Sequence, residues 1–206
     1  MNHLIHTALA LAIAALPFTA MAAAKGKTMQ EIIDASTAAD WRTPDPEDLL
    51  IMDIPGGRVV IELAPLFAPE HVANIRTLAK QGYWHGLAII RSHDNFVVQW
   101  GDTADEAAKA KPIGIAKAKL PAEFSIEGLD KASFHAVPDP DGWSKTAGFV
   151  AGFPAATDGK QTWMAHCYGD VGAGRGIEAD SSIGTELYVV IGQSPRQLDR
   201  NITSVG

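Results

Sequence analysis

Few residues in this chain have a type and spacing that could do chemistry. His166 and Cys167 stand side by side, and such a pair could supply a thiol nucleophile or two ligands of a metal. Cys167 is the single cysteine, however, and one Cys next to one His is not a constellation. His135 and Asp139 are the nearest further donors, a thin basis for a metal site. Gly172-Ala173-Gly174-Arg175-Gly176 is glycine-rich but lacks the dinucleotide-binding spacing and a helical pattern after it, so it reads as strand and turn. His71, His85 and His93 read as exposed helix or turn residues. No metal and no cofactor is expected. What remains is a series: Arg91, Phe96 five residues on, Gln99 three further, then Gly101-Asp102. A guanidinium is always charged and presents rigid donors. By itself, such an arginine usually ends in a surface salt bridge.

The elements around that series can be read from pattern. The 206 residues suit one domain plus a processed N-terminal segment. Residues 1–24 contain no Asp, Glu, Lys or Arg. An apolar run from Leu4 to Leu16 leads to Pro17 and Ala20-Met21-Ala22-Ala23-Ala24, the shape of a secretory signal cleaved after Ala22 or Ala24. The run is shorter than the ~20 residues of a membrane-spanning helix. The expected destination is the periplasm, with no membrane partner after cleavage. The net charge is -7 and there is no run of Lys or Arg, which excludes nucleic acid as an expected partner. Without an intramolecular disulfide, stability must come from the core, and a monomer is expected. Residues 25–48 form a polar leader in which Met29–Ala39 suits a short helix, broken by Thr43-Pro44-Asp45-Pro46.

From Leu49 the pattern changes. Leu49–Ile54 and Arg58–Leu63 read as a hairpin around Pro55-Gly56-Gly57. A helix led by Pro69 follows, with Val72, Ile75, Leu78 and Ala79 on one stripe and Gly82 as its stop. Leu87–Ile90 and Phe96–Gln99 read as short strands flanking a turn at Ser92-His93-Asp94-Asn95. Residues 103–165 are rich in Gly, Pro, Ala and Asp, with a turn cluster at Pro138–Gly142, and read as an irregular insertion. Glu186–Ile191 is a buried strand. Together these give a mainly β domain with a helix over one end.

At this point Gly57–Asp102 resembles the cyclophilin family. Gly57-Arg58-Val59-Val60-Ile61-Glu62-Leu63, Ala68-Pro69, Asn74 within the helix, Gly82-Tyr83, and the Arg91, Phe96, Gln99, Gly101-Asp102 signature keep the family's order and spacing. Gly184-Thr185-Glu186-Leu187-Tyr188 looks like its Gly-Ser-Gln-Phe-Phe strand, Leu198-Asp199 like its Leu-Asp-Gly segment, and Val171–Arg175 like its small-residue strand. The resemblance covers residues 49–102 and 171–206.

The resemblance implies a closed antiparallel β-barrel capped by helices, interrupted by the long insertion at about 103–165. It also implies a site for a peptide around an X–Pro bond, so proline-containing polypeptides are the implied partners. That amide resists rotation by ~18–20 kcal/mol because resonance gives its C–N bond double-bond character. A catalyst must bind the twisted amide better than either planar form. Arg91 would face the prolyl nitrogen as it gains a lone pair, and Gln99 would hold the substrate backbone or orient Arg91. Phe96, Val97, Tyr188 and Leu198 would wall the proline pocket, with Glu186 beside them. The implied function is peptidyl-prolyl cis/trans isomerisation of exported polypeptides; the alternative is a non-catalytic peptide-binding module. Ile90, Glu186, Tyr188, Gln197 and Ile202 depart from the family's His, Gln, Phe, Trp and His. The family's barrel normally continues beyond the position of Gly206, so the missing elements imply a longer product and an unpaired edge on Leu49–Ile54.

Overall fold

The helix expected over Met29–Ala39 is shorter: α1 spans Met29–Asp34, and a separate 3-10 turn covers Ala38–Asp40. The computed structural model describes residues 26–102, 109–130, 133–193 and 195–206, so the signal-like segment 1–24 lies outside the described residues. A capping box starts α1. The Thr28 hydroxyl accepts from the Glu31 N–H at 3.2 Å, and the Glu31 carboxylate accepts the Thr28 N–H at 2.7 Å. None of its residues is buried. It belongs to the first of two units, residues 1–43; the second, residues 44–206, holds the sheets.

Strands β1 (Leu49–Ile54) and β2 (Gly57–Glu62) form the expected hairpin, paired from Leu49 with Glu62 to Ile54 with Gly57. Helix α2 (Pro69–Lys80) starts on its proline and ends where expected, with Gly82 at φ +67° just past the last turn. A five-stranded antiparallel sheet follows. It contains β3 (Ala88–His93), β4 (Val97–Gly101), β10 (Val171–Ala173), β11 (Leu187–Val190) and β12 (Thr203–Ser204), in the order β12-β10-β11-β4-β3. Period-two alternation gives this sheet two unlike faces. Trp100, Leu187, Val171 and Ala173 pack with Val72 and Ile75 of α2, Ile61 and Val205 in the main core. Val97, Tyr188 and Val190 point the other way, with Phe96, Leu198 and Ile202 packed on them.

The closed barrel implied by the resemblance is not what the described residues form. Their hydrogen bonds make three sheets of two, five and five strands. Among the described residues the hairpin shares no ladder with the β12-β10-β11-β4-β3 sheet. Leu50, Met52 and Ile61 pack on that sheet's core, and just past β2 the Ala64 N–H donates to the Val205 carbonyl while the Val205 N–H donates to the Val171 carbonyl, both at 2.7 Å. Among the described residues β1 pairs with β2 alone.

The insertion is also more regular than expected. Residues 109–125 hold no helix or strand, but 126–164 carry five strands: β5 (Ile126–Glu127), β6 (Phe134–Ala136), β7 (Thr146–Val150), β8 (Phe153–Thr157) and β9 (Gln161–Met164). They pair antiparallel in the order β5-β9-β8-β7-β6. The strands are short and carry Gly148 and Pro154 inside them, which hides them from a propensity reading. Ala151 and Gly152 make the tight β7–β8 turn, both at positive φ (51° and 86°), where an Asn or Asp would normally announce a hairpin. Val150, Ala155 and Met164 bury against Ala64 and Phe67.

His71, expected on the surface, is buried. The backbone N–H groups of Glu70 and His71 donate to the Glu123 carboxylate at 3.0 and 2.9 Å, and His71 Nδ1 lies 2.7 Å from the same group. Glu123 thus caps α2 from a distant part of the chain. Asn74 ties the same helix to two loops, donating to the carbonyls of Lys117 and Ile183 and accepting the Lys117 N–H.

Candidate functional site

Sheet register assembles the site. Arg91 lies opposite Gln99, Gln99 opposite Tyr188, Tyr188 opposite Gly172, and Gly172 opposite Ser204. Directly paired residues share a face, so these five form one row across the sheet on the side away from α2. Beyond Arg91 the register shifts at a bulge between Ile89 and Arg91. It leaves Ile90 unpaired, and a bulge of this kind re-aims the side chains beside it. At the far end of β4, Gly101 (φ +146°) lets β11 approach; a Cβ there would sit 2.8 Å from the Thr185 carbonyl oxygen.

At the open end of the row Arg91 is exposed, and its guanidinium carbon stands 5.4 Å from the centre of the Phe96 ring. That is cation–π range. Cation and aromatic ring are thus neighbours, as the resemblance implies. Gln99 donates to the Glu186 carboxylate instead of being held by Arg91. Half-burial pushes the Glu186 carboxyl up, and the nearby Arg91 charge opposes the shift. Leu198 and Phe96 are half-buried beside Tyr188, whereas Val97 and Tyr188 are only 2% and 5% exposed. All seven expected site residues therefore lie on or beside one sheet face. A cleft of about 700 Å³, lined by Leu50, Met52, Trp84, Ile89 and Trp100 among others, is on the α2 side. The row is the better candidate because the cleft brings neither Arg91 nor Gln99 to its walls.

Beneath the row lies a buried polar network that local pattern gives no hint of. His166 is completely buried. Its Nδ1 faces the Asp199 carboxylate at 3.1 Å, and its Nε2 lies 2.7 Å from the Tyr188 hydroxyl. Asp199 also accepts from the His166 N–H (3.0 Å), Trp163 Nε1 (3.0 Å) and Arg196 Nε (2.6 Å). Arg196 in turn makes a bidentate pair with Asp141. Burial pushes the Asp199 carboxyl up, but the donors of His166, Arg196 and Trp163 outweigh it and hold the carboxyl below its ordinary value. Asp170 is fully buried; its Oδ2 accepts from Ser204 at 3.0 Å and its Oδ1 has no partner among the described residues. Burial pushes it up to about 6, against the pull of His166 and Ser204. Cys167 is half-buried and its thiol is raised by burial, which weakens a nucleophile. His135 and Asp139 are on the surface.

The described residues form a mainly β domain with a cation, an aromatic wall and a glutamine on one outer sheet face. The family model described as cyclophilin type peptidyl-prolyl cis-trans isomerase/CLD matches residues 49–206. The chain belongs to this family. A probable peptidyl-prolyl cis-trans isomerase of Brucella suis biovar 1 (strain 1330) is 38% identical over 90 residues, 40% of this chain and 46% of that protein. The counterpart of Brucella abortus (strain 2308) is 37% identical over the same length. The matched region thus spans about half the length of these curated relatives. The crystal structure of cyclophilin AquaCyp293 from Hirschia baltica superposes with a TM-score of 0.68 at 29% identity, covering 88% of this chain and 70% of that one.

Proposed function

We propose that the chain is a peptidyl-prolyl cis/trans isomerase acting on X–Pro bonds of exported polypeptides. The observation that carries this reading is the Arg91–Gln99–Tyr188 row with Phe96 under the arginine. A proline ring held against Phe96 and Leu198 would leave the carbonyl side of the amide free to turn. As the amide twists, resonance is lost and the prolyl nitrogen regains its lone pair. A fixed guanidinium facing that nitrogen interacts more strongly with the twisted form than with either planar form, which lowers the barrier. No bond is made or broken, so the site needs no nucleophile.

A coupled isomerisation assay on a series of X–Pro tetrapeptides tests the reading. Catalysed exchange is the expected result. Saturable binding without acceleration would favour the non-catalytic peptide-binding module, for which the engagement of Gln99 by Glu186 is the motivating observation. Export rests on the uncharged, alanine-rich segment 1–24. N-terminal sequencing of the product made in a bacterial host should give a mature chain starting after Ala22 or Ala24, and an intact Met1 on the mature protein would contradict export.

A further inference from the structure

We propose that His166 is a positioning residue for the proline pocket: by taking the Tyr188 hydroxyl it pins the tyrosine ring over Gly172 and leaves only apolar surface facing the substrate. The inference rests on the isomerase reading of the site and deepens it. A tyrosine in this wall carries a hydroxyl that would polarise or narrow a pocket meant for a proline ring. The geometry removes that difficulty. Tyr188 and Gly172 are direct cross-strand partners, and a Cβ at Gly172 would lie 2.2 Å from the Tyr188 Cζ and hydroxyl oxygen, so the ring occupies a slot that only glycine leaves open. From that slot the hydroxyl reaches His166 Nε2 at 2.7 Å, and the two rings stack at 18°.

The proton bookkeeping is set by Asp199. As an ionised acceptor it faces a proton on His166 Nδ1, while Nε2 faces the Tyr188 hydroxyl, with Asp170 Oδ2 3.7 Å from the same nitrogen. Asp199 is itself clamped by Arg196 and Trp163. The imidazole therefore cannot turn without breaking bonds to a buried carboxylate. Arg196 and Asp199 flank Leu198 in the chain, so the same network also fixes the turn (Arg196–Leu198) that brings Leu198 against Tyr188. No signal at Tyr188 alone reveals this, because the partner comes from the segment after β9.

The test uses the whole chain and three variants, with KM and kcat on an X–Pro tetrapeptide and Kd for the same peptide. His166→Leu keeps bulk but removes the acceptor, so the Tyr188 hydroxyl must seek a partner on the pocket side. KM and Kd should rise at least fivefold, with kcat changing less. His166→Gln can accept from Tyr188 through its amide oxygen and should recover most of the loss. In the His166→Leu, Tyr188→Phe double variant no hydroxyl is left to satisfy, and KM should fall back below that of His166→Leu alone. A folded His166→Leu protein with parental KM and Kd, or a double variant no better than the single one, overturns the proposal. Should His166→Leu fail to melt cooperatively, NMR of the parent decides: a pinned ring gives separate resonances for the two edges of Tyr188, and averaged edges contradict pinning. Peptide binding with no catalysis by the parent would defeat the isomerase reading alone, since Kd and ring resonances still report on His166.

Discussion

Replacing Arg91 with alanine should lower kcat/KM on short X–Pro peptides at least tenfold, about 1.4 kcal/mol of transition-state stabilisation. The loss should fall mainly on kcat, because the guanidinium is asked to interact with a nitrogen lone pair that exists only in the twisted amide. The fold gives little reason for a confounding loss of stability. Arg91 is exposed near one edge of the sheet, with its guanidinium against the face of Phe96 and its charge felt by Glu186. Losing that contact loosens one wall and predicts a smaller rise in KM. Arg91→Lys keeps the charge without the planar fork and should fall between parent and alanine. Thermal melting separates the two causes: the alanine variant should melt within a few degrees of the parent. A folded Arg91→Ala protein with parental kcat would show that another group stabilises the twisted amide.

The second large effect concerns stability and pH. Asp170 is buried with His166 Nε2 3.7 Å from its Oδ2, too far for a hydrogen bond, and burial outweighs that neighbour and raises its folded pKa to about 6. An unfolded aspartate titrates near 3.9. Between these values the folded state holds the proton more tightly, so stability falls as pH rises through this window. Below it both states are protonated, above it both are ionised, and the total loss is about 3 kcal/mol at ~1.4 kcal/mol per pKa unit. Asp170→Asn removes the titration and keeps an acceptor for Ser204. Urea unfolding of both proteins at pH 4.5 and 7.5 should therefore show the asparagine variant gaining about 2 kcal/mol on the parent across that interval. No divergence would mean that Asp170 reaches solvent or a counter-charge in solution. Asp199 works in the opposite sense. Its pKa is lowered, so its contribution is present at neutral pH and is lost as pH falls through its folded value.

How much of this was legible in the residues depends on how local the signal is. The Arg91, Phe96, Gln99 spacing lies within one hairpin, β3 to β4, where register follows directly from sequence separation. Pro69 and Gly82 mark the ends of α2 because each acts through its own backbone geometry. Tyr188 could be placed beside the site through its strand pattern and resemblance, but the fate of its hydroxyl could not. That depends on His166, which packs across from another part of the chain, and on Asp199, whose four donors come from His166, Trp163 and Arg196. Likewise His71 looked exposed because its partner Glu123 is 52 residues away. The strands β5–β9 were missed because their turn at Ala151-Gly152 lacks a customary turn residue at its first position, and because their burial comes from packing with Ala64 and Phe67.

The central claim is that this sheet face accelerates rotation about X–Pro bonds. Two-dimensional exchange NMR on a short peptide containing Ala-Pro, with the protein present at a small fraction of the peptide concentration, addresses it without a coupled protease. Uncatalysed exchange takes tens to hundreds of seconds, so free peptide shows no cis/trans cross-peaks on the mixing times used. The account predicts cross-peaks whose build-up rate rises in proportion to added protein and falls at least tenfold with Arg91→Ala. Peptide resonances that shift on addition of the protein while exchange stays at the uncatalysed rate would contradict it.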